Sequence, residues 1–194
     1  MSYSQYDEER FIVEAVGGMS GSFLDLGAYH PTEKSNTRAL FEGGWGGVMV
    51  EPSPGPMRAL LVEYGKEDRI KLIQAAVALT PGLVDLWVSD DAVSTSDQSS
   101  YATWKEAGGF FGQMRVPAIT LNEIANQFGG FDFVNIDIEG LSVDLFTQAL
   151  YLGWEPKCWC VEHNDRLGEL LTAATGKGYV ATMTNSCNVV LVKK

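Results

Sequence analysis

Carboxylates in this chain stand where apolar runs break off. Asp25 and Gly27 close Gly21-Ser22-Phe23-Leu24-Asp25-Leu26-Gly27, Glu51 follows Val48-Met49-Val50, and Asp137 with Glu139 closes the run that begins at Phe131. Gln74 ends a run from Ile70, and Glu162 with His163 ends one from Lys157. Short apolar runs bounded by glycine, proline or acids read as buried strands. In open α/β sheets ligands settle beyond the carboxyl ends of such strands, so these polar residues are the candidates for chemistry. Asp25 can accept hydrogen bonds from an ammonium group or a water, and Gly27 lets the backbone come close to a ligand. A tight turn with an acidic cap accounts for the same pair equally well. Glu51 lies 24 positions beyond Gly27, near the roughly 20-residue separation at which a carboxylate grips the vicinal hydroxyls of a ribose. Its place between an apolar strand and Pro52 favours that role over a solvated surface acid.

A group that takes up a proton would come from Asp137, Glu139 or a histidine. The two histidines are His30, in the first loop, and His163, after the fifth apolar strand. Imidazole titrates near neutrality and can accept a hydroxyl proton; a solvated or structural ring is the competing reading for both. Asp137, Glu139, Glu162 and His163 also offer the oxygen-rich donors that Mg²⁺ prefers, although a metal-free site is the preferred reading. Cys158 and Cys160 alternate along an apolar strand and Cys187 follows, an odd set with neither a disulfide framework nor the spacing of a four-ligand zinc site. They read as core in a reducing compartment.

The elements that would carry these residues alternate between helix and strand. A leading helix covers Gln5 to Val16, with Phe11, Ile12 and Ala15 at helical spacing behind an acidic first turn. The strand ending at Gly27 is followed by a short helix from Ser35 to Glu42, a second strand from Val48 to Glu51, and a helix entered through Pro52 to Pro56 that ends near Gly65. Ile70 to Gln74 is a third strand and Leu83 to Val88 an added one. Thr120-Leu121-Asn122-Glu123 is a capping box opening a helix to Gly129. Phe131 to Ile138 and Lys157 to Glu162 are the fourth and fifth strands, with helices from Val143 to Leu152 and from Asp165 to Thr175 after them. Gly178 to Met183 and Asn188 to Val192 form a closing hairpin. This order predicts an open, mostly parallel α/β sheet with one antiparallel strand near its end. Residues 89–113 are too long for an ordinary connection and read as a lid or a partly disordered insert. Tyr101, Trp104, Phe110 and Phe111, near Gly108, Gly109 and Gly112, suit a loop that closes over a ligand; they suit equally a loop anchored to its own core.

A chain of 194 residues, 45% of them hydrophobic and free of repeats or composition shifts, suits one domain over residues 1–194. Its net charge of −11, from 25 acidic and 14 basic residues, repels phosphate backbones and anionic surfaces, which argues against nucleic acid or a membrane as partner. The segment from Met1 to Phe11 lacks the basic start and apolar core of a signal peptide. No apolar run reaches the roughly 18 residues of a membrane span, so the cytoplasm is the expected location. A second copy of the chain stays open as a partner.

The glycine loop is not a dinucleotide fingerprint, because Gly27-Ala28-Tyr29-His30-Pro31 stands where G-x-G-x-x-G would continue, and G-x-x-x-x-G-K-[ST] is absent. A pyrophosphate would lack its cradle of N–H groups and would meet an acidic surround. A ribose-bearing ligand with positive charge fits better, and S-adenosylmethionine is one. The chain resembles the FkbM-type methyltransferase family over nearly its whole length. The matching stretches are Tyr3-Ser4-Gln5, Phe23-Leu24-Asp25-Leu26-Gly27-Ala28, Ser35-Asn36-Thr37, Gly44-Trp45-Gly46-Gly47-Val48, Val50-Glu51-Pro52-Ser53-Pro54, Ala76-Val77, Thr120-Leu121 and Asp137-Ile138-Glu139-Gly140.

The resemblance implies a Rossmann-like class I methyltransferase fold, a mostly parallel seven-stranded sheet with a C-terminal antiparallel hairpin and helices on both faces. It implies that Asp25, Gly27 and Ala28 line the methionine end of S-adenosylmethionine and that Ser35, Asn36, Thr37 and Pro52 belong to the same cofactor site. Glu51 would hold the ribose and the turn from Gln74 to Val77, with Ala75 and Ala76, would face the adenine. Asp137, also a cofactor contact, and Glu139 would border the reaction site, and His163 joins them as a catalytic candidate on its chemistry alone. Ser142 stands where the pattern D-x-E-G-x-E places a second acid, a departure that bears on the acceptor side. The expected activity is methylation of a hydroxyl oxygen on a sugar-like or other small acceptor. A nicotinamide-dependent oxidoreductase would share the sheet and the ribose acid but needs the second and third glycines. A non-catalytic binding module that keeps the fold is the remaining alternative.

Overall fold

Alternating apolar runs and turn residues drive the chain back and forth across one sheet. The structure, a computed structural model, describes residues 2–18, 20–89, 94–106 and 109–194, the side chain of Trp104 excepted. Its first half contains α1 (Glu8–Val16), β1 (Ser22–Leu26), α2 (Arg38–Glu42), β2 (Gly46–Val50), α3 (Pro54–Tyr64), β3 (Ile70–Ile73), β4 (Ala76–Val77) and β5 (Gly82–Ser89). The second half contains α4 (Gln98–Trp104), β6 (Phe110–Ile119), α5 (Leu121–Phe128), β7 (Phe133–Ile136), α6 (Ser142–Tyr151), β8 (Cys158–Glu162), α7 (Leu167–Gly176), β9 (Tyr179–Thr184) and β10 (Asn188–Lys193).

Seven strands form the main sheet in the order β3-β2-β1-β7-β8-β10-β9. β1 pairs in parallel with β2 and β7, as β2 does with β3 and β7 with β8, whereas β10 runs antiparallel to both β8 and β9. The chain therefore steps outward from β1 to β3 and then returns to β7 on the other side of β1. Such a reversal opens a crevice at the carboxyl ends of β1 and its neighbours.

Strand residues of alternate parity feed two cores, since successive side chains leave opposite faces of a sheet. Phe23, Met49, Phe133, Cys158, Cys160 and Val190 pack against Ile12 of α1, Leu40 and Phe41 of α2, and Leu60 and Tyr64 of α3. Leu24, Leu26, Val50, Ile136, Trp159 and Leu191 pack against α5, α6 and α7 through Ile124, Phe146, Ala149 and Leu170. Each fully buried aliphatic side chain contributes roughly 1.5–3 kcal/mol. Cys158 and Cys160 are core residues as expected, while Cys187 is partly exposed.

The insert over residues 89–113 departs from the expected irregular lid. Among its described residues lie α4 and the start of β6, a ten-residue strand that pairs antiparallel with β5 and parallel with β4 in a second, three-stranded sheet. Trp87 of β5 stacks on Tyr101 of α4 at 4.7 Å, and Tyr101 meets Phe110 edge-on at 5.1 Å. These aromatics anchor the insert to the small sheet, which is the alternative reading of their pattern. The strand over β6 is hidden in the sequence because Phe111, Gly112, Gln113, Met114 and Arg115 are all exposed in turn, so neither parity carries an apolar signal. Gly108 lies outside the described residues. Smaller differences concern helix starts: α1 begins at Glu8, α2 at Arg38 and α7 at Leu167, the last because Asn164 and Asp165 hold left-handed backbone with φ of 44° and 59°. Among the described residues no helix is long and apolar enough to cross a membrane.

Candidate functional site

Register across the sheet puts three of the sequence candidates in one row. Leu26 of β1 lies opposite Val50 of β2 and Ile136 of β7, so the next residues, Gly27, Glu51 and Asp137, stand side by side at the strand ends. Neighbouring strands are about 4.8 Å apart, which separates Glu51 from Asp137 by about 10 Å with Gly27 between them. Gly27 adopts φ of +83°, and a Cβ there would sit 1.8 Å from the Asp137 carbonyl oxygen. Only glycine allows the turn after β1 to lie flat against the end of β7.

The row floors a cleft with about 570 Å³ of unfilled space, part of it open to solvent. Glu51, Pro52, Ser53 and Pro56 form one wall, and Ala75, Ala76, Val77 and Leu86 an apolar one. Asp137, Ile138 and Glu139 close the far end, and Ser94 and Ser96 of the insert reach the cleft as well. The carboxylate of Glu51 accepts the backbone N–H of Tyr29 at 3.0 Å and that of Ser53 at 2.7 Å, which fixes its orientation. Burial pushes its pKa up against those hydrogen bonds. Asp137 is raised well above the usual carboxylate range, first by burial and then by the charges of Glu162 and Glu139. Glu162 is raised too, by burial, and accepts a hydrogen bond from Ser142 Oγ at 3.1 Å. Ser142, in place of a second acid, thus joins Glu162 to the loop after β7, since its Oγ also accepts the Ile138 N–H at 3.1 Å.

Asp25 takes another place. Its side chain leaves the face that Phe23 leaves and is 2% exposed, outside the lining of the cleft. Thr37 Oγ1 donates to it at 2.6 Å and Asn135 Nδ2 at 2.9 Å, while Asn36 Nδ2 donates to Asn135 Oδ1 at 3.0 Å. Burial raises the pKa of Asp25 despite these two donors. Ser35 is buried beside them with its Oγ accepting the Arg38 N–H at 3.2 Å, and Ala28 is buried in the core. Asp25, Ala28, Ser35, Asn36 and Thr37 therefore pin the first loop from below, while Gly27, Glu51, Pro52, Ala75, Ala76, Asp137 and Glu139 meet on the cleft.

His163 is not brought to this cleft. It is 7% exposed, and its Nε2–H donates to the Asn185 carbonyl at 3.2 Å, leaving Nδ1 buried without a partner among the described residues. His30 caps a turn, its Nδ1 accepting the Glu33 N–H at 3.0 Å. Among the described residues no three His, Cys, Asp or Glu side chains are grouped so as to hold a metal ion. Asn135, absent from the candidates, was signalled by a polar residue inside the apolar run from Phe133 to Ile136. Tyr29, Ser53, Leu86, Ser94 and Ser96 carry no such signal.

Strand order and the acid-lined cleft at the reversal together define the Rossmann-like methyltransferase fold. The sequence matches the Methyltransferase FkbM domain over residues 25–169, most of its length, and the chain belongs to that family. A solved methyltransferase FkbM from Methylobacillus flagellatus KT is similar to it with a TM-score of 0.54 at 14% identity, over 89% of this chain. The chain spans 43% of the length of that relative. An S-adenosylhomocysteine-bound methyltransferase of Podospora anserina gives a TM-score of 0.53 at 15% identity, over all of this chain and 80% of its own. The ribosomal protein L11 methylase of Lactobacillus delbrueckii subsp. bulgaricus gives 0.51 at 10% identity, over 97% of this chain and 78% of its own. No curated protein matches the sequence.

Proposed function

We propose that this chain transfers the methyl group of S-adenosylmethionine to a hydroxyl oxygen of a small or sugar-like acceptor. Glu51 carries the reading. Its carboxylate, aimed by the Tyr29 and Ser53 N–H groups, keeps lone pairs for two vicinal hydroxyls. The apolar wall of Ala75, Ala76, Val77 and Leu86 suits a flat purine beside that ribose. The S-adenosylhomocysteine bound to the structurally similar Podospora anserina methyltransferase supports the same ligand class.

When bound, the cofactor supplies a methyl group on a sulfonium. The chain's own work is to orient and to take a proton. Glu51 holds the donor at one end of the row, and Gly27 keeps the floor low between the two acids. Asp137 stands about 10 Å away, where the acceptor hydroxyl is to arrive in line behind the methyl group. With the cofactor bound, the Asp137 carboxylate, whose raised proton affinity suits a base, would take up the proton of the acceptor hydroxyl. Glu139 orients the acceptor beside it.

Calorimetry with S-adenosylmethionine and S-adenosylhomocysteine tests the reading. Both are expected to bind, and Glu51→Ala is expected to weaken them on the order of 100-fold, the loss of two hydrogen bonds to a charged group. Absence of binding by the unaltered chain, or equal affinity after the substitution, would refute it.

A further inference from the structure

Residues 94–97 lead into α4 and cross the cleft of Glu51 on the way. Ser94 and Ser96 line that cleft, while Thr95 between them is outside the lining and 1% exposed. Such alternation is that of an extended strand, with one parity on an open space and the other in a core. The segment starts beside the apolar wall, where Thr95 and Trp87 exchange backbone hydrogen bonds at 2.9 and 3.1 Å, Trp87 being the neighbour of the wall residue Leu86. It ends at Asp97, against the loop after β7, where a Cβ on Gly140 would lie 2.8 Å from the Asp97 side chain. Gly140 follows Glu139, at the far end of the cleft. The segment therefore spans the space from the apolar wall to the acid end.

Its two ends are held unequally. At the small sheet, besides the pairing with Trp87, Ser94 Oγ accepts the Ser89 N–H at 2.9 Å and donates to the Ser89 carbonyl at 3.2 Å. Thr95 Oγ1 accepts the Asp97 N–H at 3.0 Å, and the Asp97 carboxylate is spent on α4, where it accepts the Ser100 N–H at 2.7 Å and the Ser99 hydroxyl. Against the main sheet Asp97 packs on Gly140, which has no side chain to grip it. Parting Asp97 from Gly140 forfeits a few dispersion contacts, each small, and leaves all of these hydrogen bonds in place. Pulling Thr95 away from Trp87 would break two backbone bonds. The seam at Gly140 is therefore the edge that opens, and the side fixed to β5 is the hinge.

Resting on the methyltransferase reading, we infer that residues 94–97 are a strap across the donor cleft, and that S-adenosylmethionine enters and S-adenosylhomocysteine leaves where Asp97 parts from Gly140. Binding kinetics of S-adenosylhomocysteine on the full chain, read by surface plasmon resonance, test this with Asp97→Gly. Glycine keeps most of the worth of a helix N-cap but removes the side chain that closes the seam. Release is expected to be at least about fivefold faster in the variant, with association as fast as in the parent or faster. Hydrogen exchange of the parent chain gives a second measurement that needs no variant. The amides of residues 94–97 are expected to exchange at least about fivefold more slowly once S-adenosylhomocysteine is saturating. Release less than about twofold faster than in the parent, or exchange at 94–97 that the bound ligand leaves unchanged, overturns the inference and leaves the donor reading standing. Failure of S-adenosylhomocysteine to bind the parent chain overturns both.

Discussion

Asp25 and Glu51 are both buried acids at the ends of neighbouring strands, yet parity sends them to different work. Asp25 sits two residues before the terminal glycine, on the face that packs under α1 to α3, and becomes the anchor of the first loop; Glu51 emerges at the rim. Asp137 belongs to the rim too, and its raised pKa has a thermodynamic consequence. The folded state holds that proton at pH values where the unfolded chain has released it, so stability falls as pH rises from the ordinary carboxylate range, about 4, through the folded value. At neutral pH the carboxyl therefore costs stability. Asp137→Asn mimics the neutral acid and is expected to raise Tm by roughly 2–4 °C for each kcal/mol recovered, with the advantage shrinking below about pH 4. Thermal unfolding of both proteins at pH 7 and pH 4 checks it, and a lower Tm for the variant at pH 7 rules the account out. Strand-end acids were legible in the sequence because an acid that closes an apolar run has few alternatives. The separation of Asp25 from the cleft follows from the two-residue period of the strand, but the partners that hold it there, Asn135 opposite and Thr37 from the loop, depend on which strand lies next to β1.

At the scale of elements, short-range chemistry was the most readable. The capping box predicted at Thr120 and Glu123 is present, with the Glu123 carboxylate accepting the Thr120 N–H at 2.8 Å and Thr120 Oγ1 accepting the Glu123 N–H at 3.3 Å. Thr120→Ala is expected to cost about 1 kcal/mol, read as a lower denaturant midpoint at an unchanged slope. Its affinity for S-adenosylhomocysteine should stay as in the parent, because no described residue of α5 lines the cleft. A loss of that affinity would mean α5 is coupled to the site. The helices of the main sheet and its closing hairpin were equally plain, through apolar spacing and glycine stops. β6 was not, since a strand with one exposed residue after another is defined by its hydrogen-bonded partner β5 and hardly by its own pattern.

The whole molecule is closed by a contact between its two ends. Glu8 of α1 is fully buried and accepts hydrogen bonds from Asn185 Nδ2 at 2.8 Å, in the turn between β9 and β10, and from Asn188 Nδ2 at 3.0 Å, at the start of β10. Burial opposes its charge, but the bonds from Asn188, the Tyr6 N–H and Asn185 outweigh it and hold its pKa below the ordinary value. A depressed folded pKa gives stability that is present above the unfolded value and lost as pH falls through the folded one. Glu8→Gln is therefore expected to cost about 1–3 kcal/mol near neutrality and progressively less in acid. Denaturant midpoints at pH 7 and pH 3 measure the difference, and a constant gap would contradict the assignment. No local pattern announces this contact, because its members lie 177 and 180 positions apart.

Glu139 lines the cleft of Glu51 and also a second space beside Ser99 and Ser100 of α4 and Asn164 to Arg166, so whatever fills one of them is felt in the other. With Glu139 as common wall, any gain in affinity in one space produced by filling the other must return as an equal gain in the reverse order. Titrating either ligand in the presence of the other then gives one number twice. The size of that reciprocal effect would measure how firmly a single side chain ties the two spaces together.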